Sequence, residues 1–66
     1  MFVELGDNLI RVSDIQAIRE TYRGFEVDVR GQRDKRYNSE SFRSQGEAHI
    51  AFKAFCEKVK ELSKNP

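Results

Sequence analysis

His49 and Cys56 have the widest chemical range in this sequence, one ionising near neutral pH and the other attacking as a thiolate. A histidine acts as a general base when a nucleophile lies within hydrogen-bond reach and a third group orients the ring. No serine or cysteine stands at a spacing that brings it to His49, which falls in the first turn of an expected helix and off its apolar stripe. It reads as an exposed surface residue whose loss changes little. Cys56 has Lys53, Lys58 and Lys60 nearby in sequence, and positive charge lowers a thiol pKa. Burial beside Phe52 and Phe55 does the opposite, and cysteine is among the most buried residue types. Packing is its expected role.

Structural zinc takes about four Cys or His ligands, and His49 and Cys56 are the whole supply. The acidic residues show no spacing suited to calcium or magnesium. Gly6, Gly24, Gly31 and Gly46 are isolated and form no phosphate-binding loop. Neither a metal nor a cofactor is expected, and a chain of 66 residues has little room for a water-excluding pocket. The sequence therefore points away from an enzyme.

A stronger signal is the stretch RGQRDKRYNSESFR, residues 30–43. It holds Arg30, Arg33, Lys35, Arg36 and Arg43 against Asp34 and Glu40, with Tyr37 and Phe42 among them. Seven of the twelve basic residues are arginines, all before residue 44, and arginine suits phosphate forks and base stacking. These five cations are the candidate contacts for a nucleic acid or an acidic protein surface. A few phosphate contacts give weak, salt-sensitive binding with little sequence preference. Single-strand readers also stack bases on aromatics of an open sheet face. The expected solvent face carries Glu4, Arg11, Arg19, Glu26, Asp28 and Arg30, with Phe2 its only aromatic. A solvated arm leading into a helix cap is thus the favoured reading of the stretch, with nucleic acid as the alternative.

The elements that position these residues follow from length and pattern. Sixty-six residues make one domain or a fragment of one, whose small core leaves it marginally stable. Such domains often recruit a disulfide, a metal or a second copy of themselves. With one cysteine and few ligands, only self-association remains. A lone cysteine also fits a reducing, intracellular setting. No apolar run approaches the roughly 20 residues of a membrane span, and the N-terminus lacks a signal-peptide pattern. A cytoplasmic protein is expected. Twelve basic and eleven acidic residues nearly cancel, so any electrostatic function is local.

Residues 2–12 read as a hairpin around Gly6, Asp7 and Asn8. A two-residue Asp7–Asn8 loop pairs Leu5 with Ile10, Val3 with Val12, and Glu4 with Arg11. Residues 13–15 suggest a corner or short 3₁₀ turn. A second hairpin looped at Arg23–Gly24 pairs Tyr22 with Phe25, Ile18 with Val29, and Arg19 with Asp28. This register places Glu20 awkwardly on the apolar face beside Val27, unless it lies at a sheet edge or the loop differs by one residue and flips the assignment. Residues 36–38 form a short strand that turns Tyr37 inward. Ser44 and Glu47 then make a capping-box pattern. Ala48, Phe52, Phe55, Val59 and Leu62 recur at helical spacing behind it, predicting a helix over about 45–63 with a frayed tail at 64–66.

The sum is an α+β domain: an antiparallel meander of four to five short strands followed by one C-terminal helix packed on a sheet face. Phe25, Phe52 and Phe55 are its expected anchors. Phe2 on the outer face, Ile50 off the helix stripe and Glu20 are the residues a monomer explains least, which makes them the candidates for self-association. The expected function is a small non-enzymatic protein-interaction or regulatory module, possible as a homodimer. Its size and lack of targeting signals fit a bacterial or phage accessory protein. Partner and pathway are not written in these residues.

Overall fold

The computed structural model describes residues 1–31 and 35–64. In chain order they form β1 (Phe2–Leu5), β2 (Asn8–Arg11), a 3₁₀ turn (Val12–Asp14), β3 (Ile15–Thr21), β4 (Gly24–Val29), β5 (Lys35–Asn38) and α1 (Gln45–Lys64). All strand pairs are antiparallel. The architecture is α+β as expected, but the strands divide into two sheets, β1–β2 and β3–β4–β5 in that order. The 3₁₀ turn makes the corner between them, and α1 contacts both.

Both hairpins differ in register from the sequence expectation by two residues, the first for a local reason and the second because of a contact distant in sequence. In the first, Gly6 and Asp7 form the loop, so Val3 pairs with Ile10 and Glu4 with Leu9, not with Arg11. Gly6 has φ of 61°, and no non-glycine residue described has a positive φ. Positive φ at the first central position is the mark of a type II′ turn, which matches the twist of the flanking strands and favours glycine there. Val12 consequently leaves the ladder for the 3₁₀ turn.

In the second hairpin the loop is Tyr22–Arg23, and Gly24 is the first residue of β4, opposite Thr21. Gly24 is used for close approach rather than for turning. A Cβ built there would collide with the Ser39 Oγ and lie 3.1 Å from the Glu40 carbonyl oxygen. Ser39 is held in place: its Oγ accepts from the Phe25 N–H at 2.9 Å and donates to the Glu40 carbonyl at 2.9 Å. The Ser39 N–H donates to the Phe25 carbonyl, and the Phe42 N–H to the Arg23 carbonyl, both at 2.8 Å. Residues 39–42 therefore clamp the start of β4. Tyr22, expected on the inner face beside Phe25, is instead an exposed turn residue.

A slip of two preserves which side chains face inward, because side chains alternate with period two. Val3, Leu5 and Ile10 from one sheet and Phe25 and Val27 from the other accordingly meet Phe55 of α1 in one core. An irregularity between Ile15 and Ala17 re-phases β3: Ile15 pairs with Val29, Ala17 with Asp28, and Gln16 is the extra residue. That bulge turns Ile15 toward the same core that Ile18 reaches. Phe25 packs against Phe55 with centroids 5.0 Å apart and against Phe52 at 6.2 Å, within the range of favourable aromatic pairs. Phe52 itself is only half-buried.

The helix begins where the capping pattern places it. The Glu47 N–H donates to the Ser44 Oγ at 3.2 Å, and the Ala48 N–H to the Ser44 carbonyl at 3.1 Å. Lys64, expected in the frayed tail, is helical, while residues 65–66 lie outside the described part. Short β5 pairs with β4 and sets Tyr37 opposite Val27, half-buried against the core. Among the described residues, no helix is long and apolar enough to cross a membrane.

Candidate interaction surface

The two residues with chemical range take separate and quiet positions. His49 lies on the exposed side of the first helical turns, its Nδ1 3.0 Å from the Glu20 Oε2. This contact accounts for Glu20. It stands on the inner face at the end of β3, opposite Phe25, and finds the histidine where the helix passes over the sheet. Cys56 is half-buried, and burial pushes its thiol pKa up, with Lys60 opposing only in part. That shift favours the protonated thiol at neutral pH. Among the described residues, no group of three or more His, Cys, Asp or Glu side chains is arranged to hold a metal.

An open groove of about 520 Å³ runs between α1, the β1–β2 turn and residues 39–42. Its walls include Leu5, Phe25, Phe42, Ala51 and Phe55, and its ionisable groups are Glu4, Glu40 and Lys58. These are the outward edges of core side chains with charges beside them. Ser39 also lines the groove, its hydroxyl engaged with the Phe25 N–H and the Glu40 carbonyl.

Among the described residues, the candidate cations of residues 30–43 do not form one group. Arg33 lies outside the described residues. Arg36 projects from β5 onto the outer sheet face, where its Nε is 2.9 Å from the Asp28 Oδ1 and 3.9 Å from the Glu26 Oε1. Arg19 of β3 closes the cluster from the other side, binding Asp28 through its Nη2 and the Glu26 Oε1 at 3.2 Å. The Arg36 and Arg19 guanidinium groups together hold the Asp28 carboxyl below the usual carboxylate range. Two cations and two anions thus neutralise one another across three strands. Arg30, Lys35 and Arg43 are exposed. Arg30 and Lys35 flank the far end of β4, whereas Arg43 follows the clamp at its near end, about 20 Å away at the usual rise per strand residue.

Phe2, Glu20 and Ile50 are likewise apart. Glu20 is engaged with His49, and Ile50, 70% exposed, is the one large apolar side chain that the helix leaves exposed. Phe2 has company that the sequence reading did not single out. It is 55% exposed on the outer face of β1, and Leu9, 66% exposed, lies on the same face of β2. The signal for Leu9 was the strand alternation itself: once Ile10 faces the core, Leu9 must face solvent. Arg11 lies opposite Phe2 with its guanidinium carbon 5.8 Å from the ring centroid, within cation–π range. In comparisons with protein-family models, curated proteins and solved structures, the chain matches none.

Proposed function

We propose that this chain is a small non-enzymatic protein-interaction or regulatory module that works in the cytoplasm of a bacterium or in a phage-infected cell. The observation that supports this reading is the outer face of β1–β2, where Phe2 and Leu9 stand exposed beside Glu4 and Arg11. Scattered exposed apolar residues are ordinary. Two on one face of a two-stranded sheet, with charges interleaved, make a surface suited to another protein. The alternative, a weak nucleic-acid binder acting through residues 30–36, is supported by exposed Arg30 and Lys35 and weakened by the pairing of Arg36 with Asp28.

Affinity capture tests the choice. The wild-type chain and a Phe2→Ser/Leu9→Ser variant are each used to recover partners from a bacterial cytosol, beside a variant with Arg30 and Lys35 reversed to Glu. A protein recovered by the wild type and lost with Phe2 and Leu9 supports the module. Nucleic acid recovered by the wild type and lost with Arg30 and Lys35 overturns it.

A further inference from the structure

The outer faces of the two sheets treat charge differently. On β3–β4–β5 the four charged residues Arg19, Glu26, Asp28 and Arg36 are satisfied within the chain. On β1–β2, among the described residues, neither Glu4 nor Arg11 forms an ion pair, although both are exposed. The register makes a two-by-two array of that face, with Phe2 opposite Arg11 and Glu4 opposite Leu9. Phe2 and Leu9 therefore occupy one diagonal, and Glu4 and Arg11 the other.

We propose that this face docks onto the same face of a second copy of the chain, about a two-fold axis that runs along the Phe2–Leu9 diagonal. The proposal rests on the reading of the chain as a protein-interaction module and names its partner. A two-fold interface brings a patch against itself, so the patch must be its own complement. An axis parallel to the strands sets Glu4 against Leu9 of the second copy and Phe2 against Arg11. An axis across the strands sets Phe2 against Glu4 and Leu9 against Arg11. Along the Glu4–Arg11 diagonal, like charges meet. The Phe2–Leu9 diagonal is the arrangement that places Phe2 on Phe2, Leu9 on Leu9 and each Glu4 against an Arg11. From ordinary strand and pair spacings the two hairpins then cross at roughly 70°, close to the orthogonal class of sheet packing.

Four side chains from each copy make a contact well below the roughly 800 Å² per partner of a standard interface. Association is accordingly weak, with a dissociation constant on the order of 100 μM. Sedimentation equilibrium from about 10 μM to about 1 mM spans that range, and amide chemical shifts recorded over the same series report where contact occurs. The expected result is a mass that rises toward twice that of the chain, with shifts centred on residues 2–4 and 9–11. Glu4→Lys alone and Arg11→Glu alone should each weaken association about tenfold or more, because each creates two like-charge contacts. An equimolar mixture of these two variants should regain wild-type association. In the mixed pair the lysine introduced into one chain meets the glutamate introduced into the other, and the unaltered Arg11 of the first meets the unaltered Glu4 of the second. Circular dichroism of each variant checks that it folds.

A mass of one chain throughout the series overturns self-docking, and so does association that ignores both charge reversals or a mixture no tighter than its components. If the monomeric chain still loses a captured protein on Phe2→Ser/Leu9→Ser, self-docking falls and the module reading stands. If it captures nothing through those residues, both fall.

Discussion

Gly24 illustrates how much one missing methyl group decides. A Cβ there meets the Ser39 Oγ and the Glu40 backbone, and the Oγ cannot swing aside without leaving the Phe25 N–H unsatisfied. Gly24→Ala should therefore destabilise the fold by about 1–3 kcal/mol, the usual range for overpacking, as read from urea unfolding. Asp28 gives a pH-dependent counterpart. Its carboxyl titrates below the ordinary value in the folded state because Arg36 and Arg19 hydrogen-bond the charged form. Its contribution is present above the unfolded pKa of about 3.9 and disappears as pH falls from there through the folded value. Thermal unfolding of Asp28→Asn should accordingly fall less steeply below that pH than the wild type, and added salt should shrink the difference. A wild-type slope in the variant would show that the cluster adds nothing. Glu20 shows why single residues are hard to read in advance. Its place on an apolar face looks unfavourable until His49, twenty-nine residues later, arrives beside it.

At the scale of elements, the helix was legible because its signals are local: a cap at Ser44 and a stripe from Ala48 to Leu62. Phe55→Ala should cost about 3–5 kcal/mol, since the ring is buried against Phe25. Ser44→Ala should cost about 1 kcal/mol through loss of the cap. Chemical denaturation of the two variants in one series checks both size and order. The inward residues of the hairpins were legible as well, Tyr22 excepted, because alternation survives a slip of two. The registers were not. Glycine looks like a turn residue in sequence, yet Gly24 is claimed by a segment fifteen residues away that crosses it. Turn chemistry alone selects among loops only when no distant contact competes. The bulge at Gln16 was equally hidden, since it matters only once β4 fixes what Ile15 and Ala17 must oppose.

For the molecule as a whole, near-cancelling charge and the paired state of Arg36 limit what a polyanion can grip. A mixed pool of RNA and DNA oligonucleotides should leave the amide spectrum of the labelled protein unchanged at low and moderate salt. Shifts confined to residues 30–36 that vanish with salt would instead establish the nucleic-acid reading. The candidate site was less legible than the fold: Phe2 drew notice as an outlying aromatic, but its diagonal relation to Leu9 exists only in the observed register. The division of the strands has a kinetic consequence. Among the described residues no hydrogen-bonded ladder joins β2 to β3, so β1–β2 is held to the rest by side-chain packing and the corner at Val12–Asp14. Units joined in this way open separately from their neighbours. In deuterium exchange, the ladder amides of β1–β2 should lose protection before those of β4, which has a strand on each side. The same hairpin that offers a docking face is thus the part of the molecule whose breathing a bound partner would quiet first.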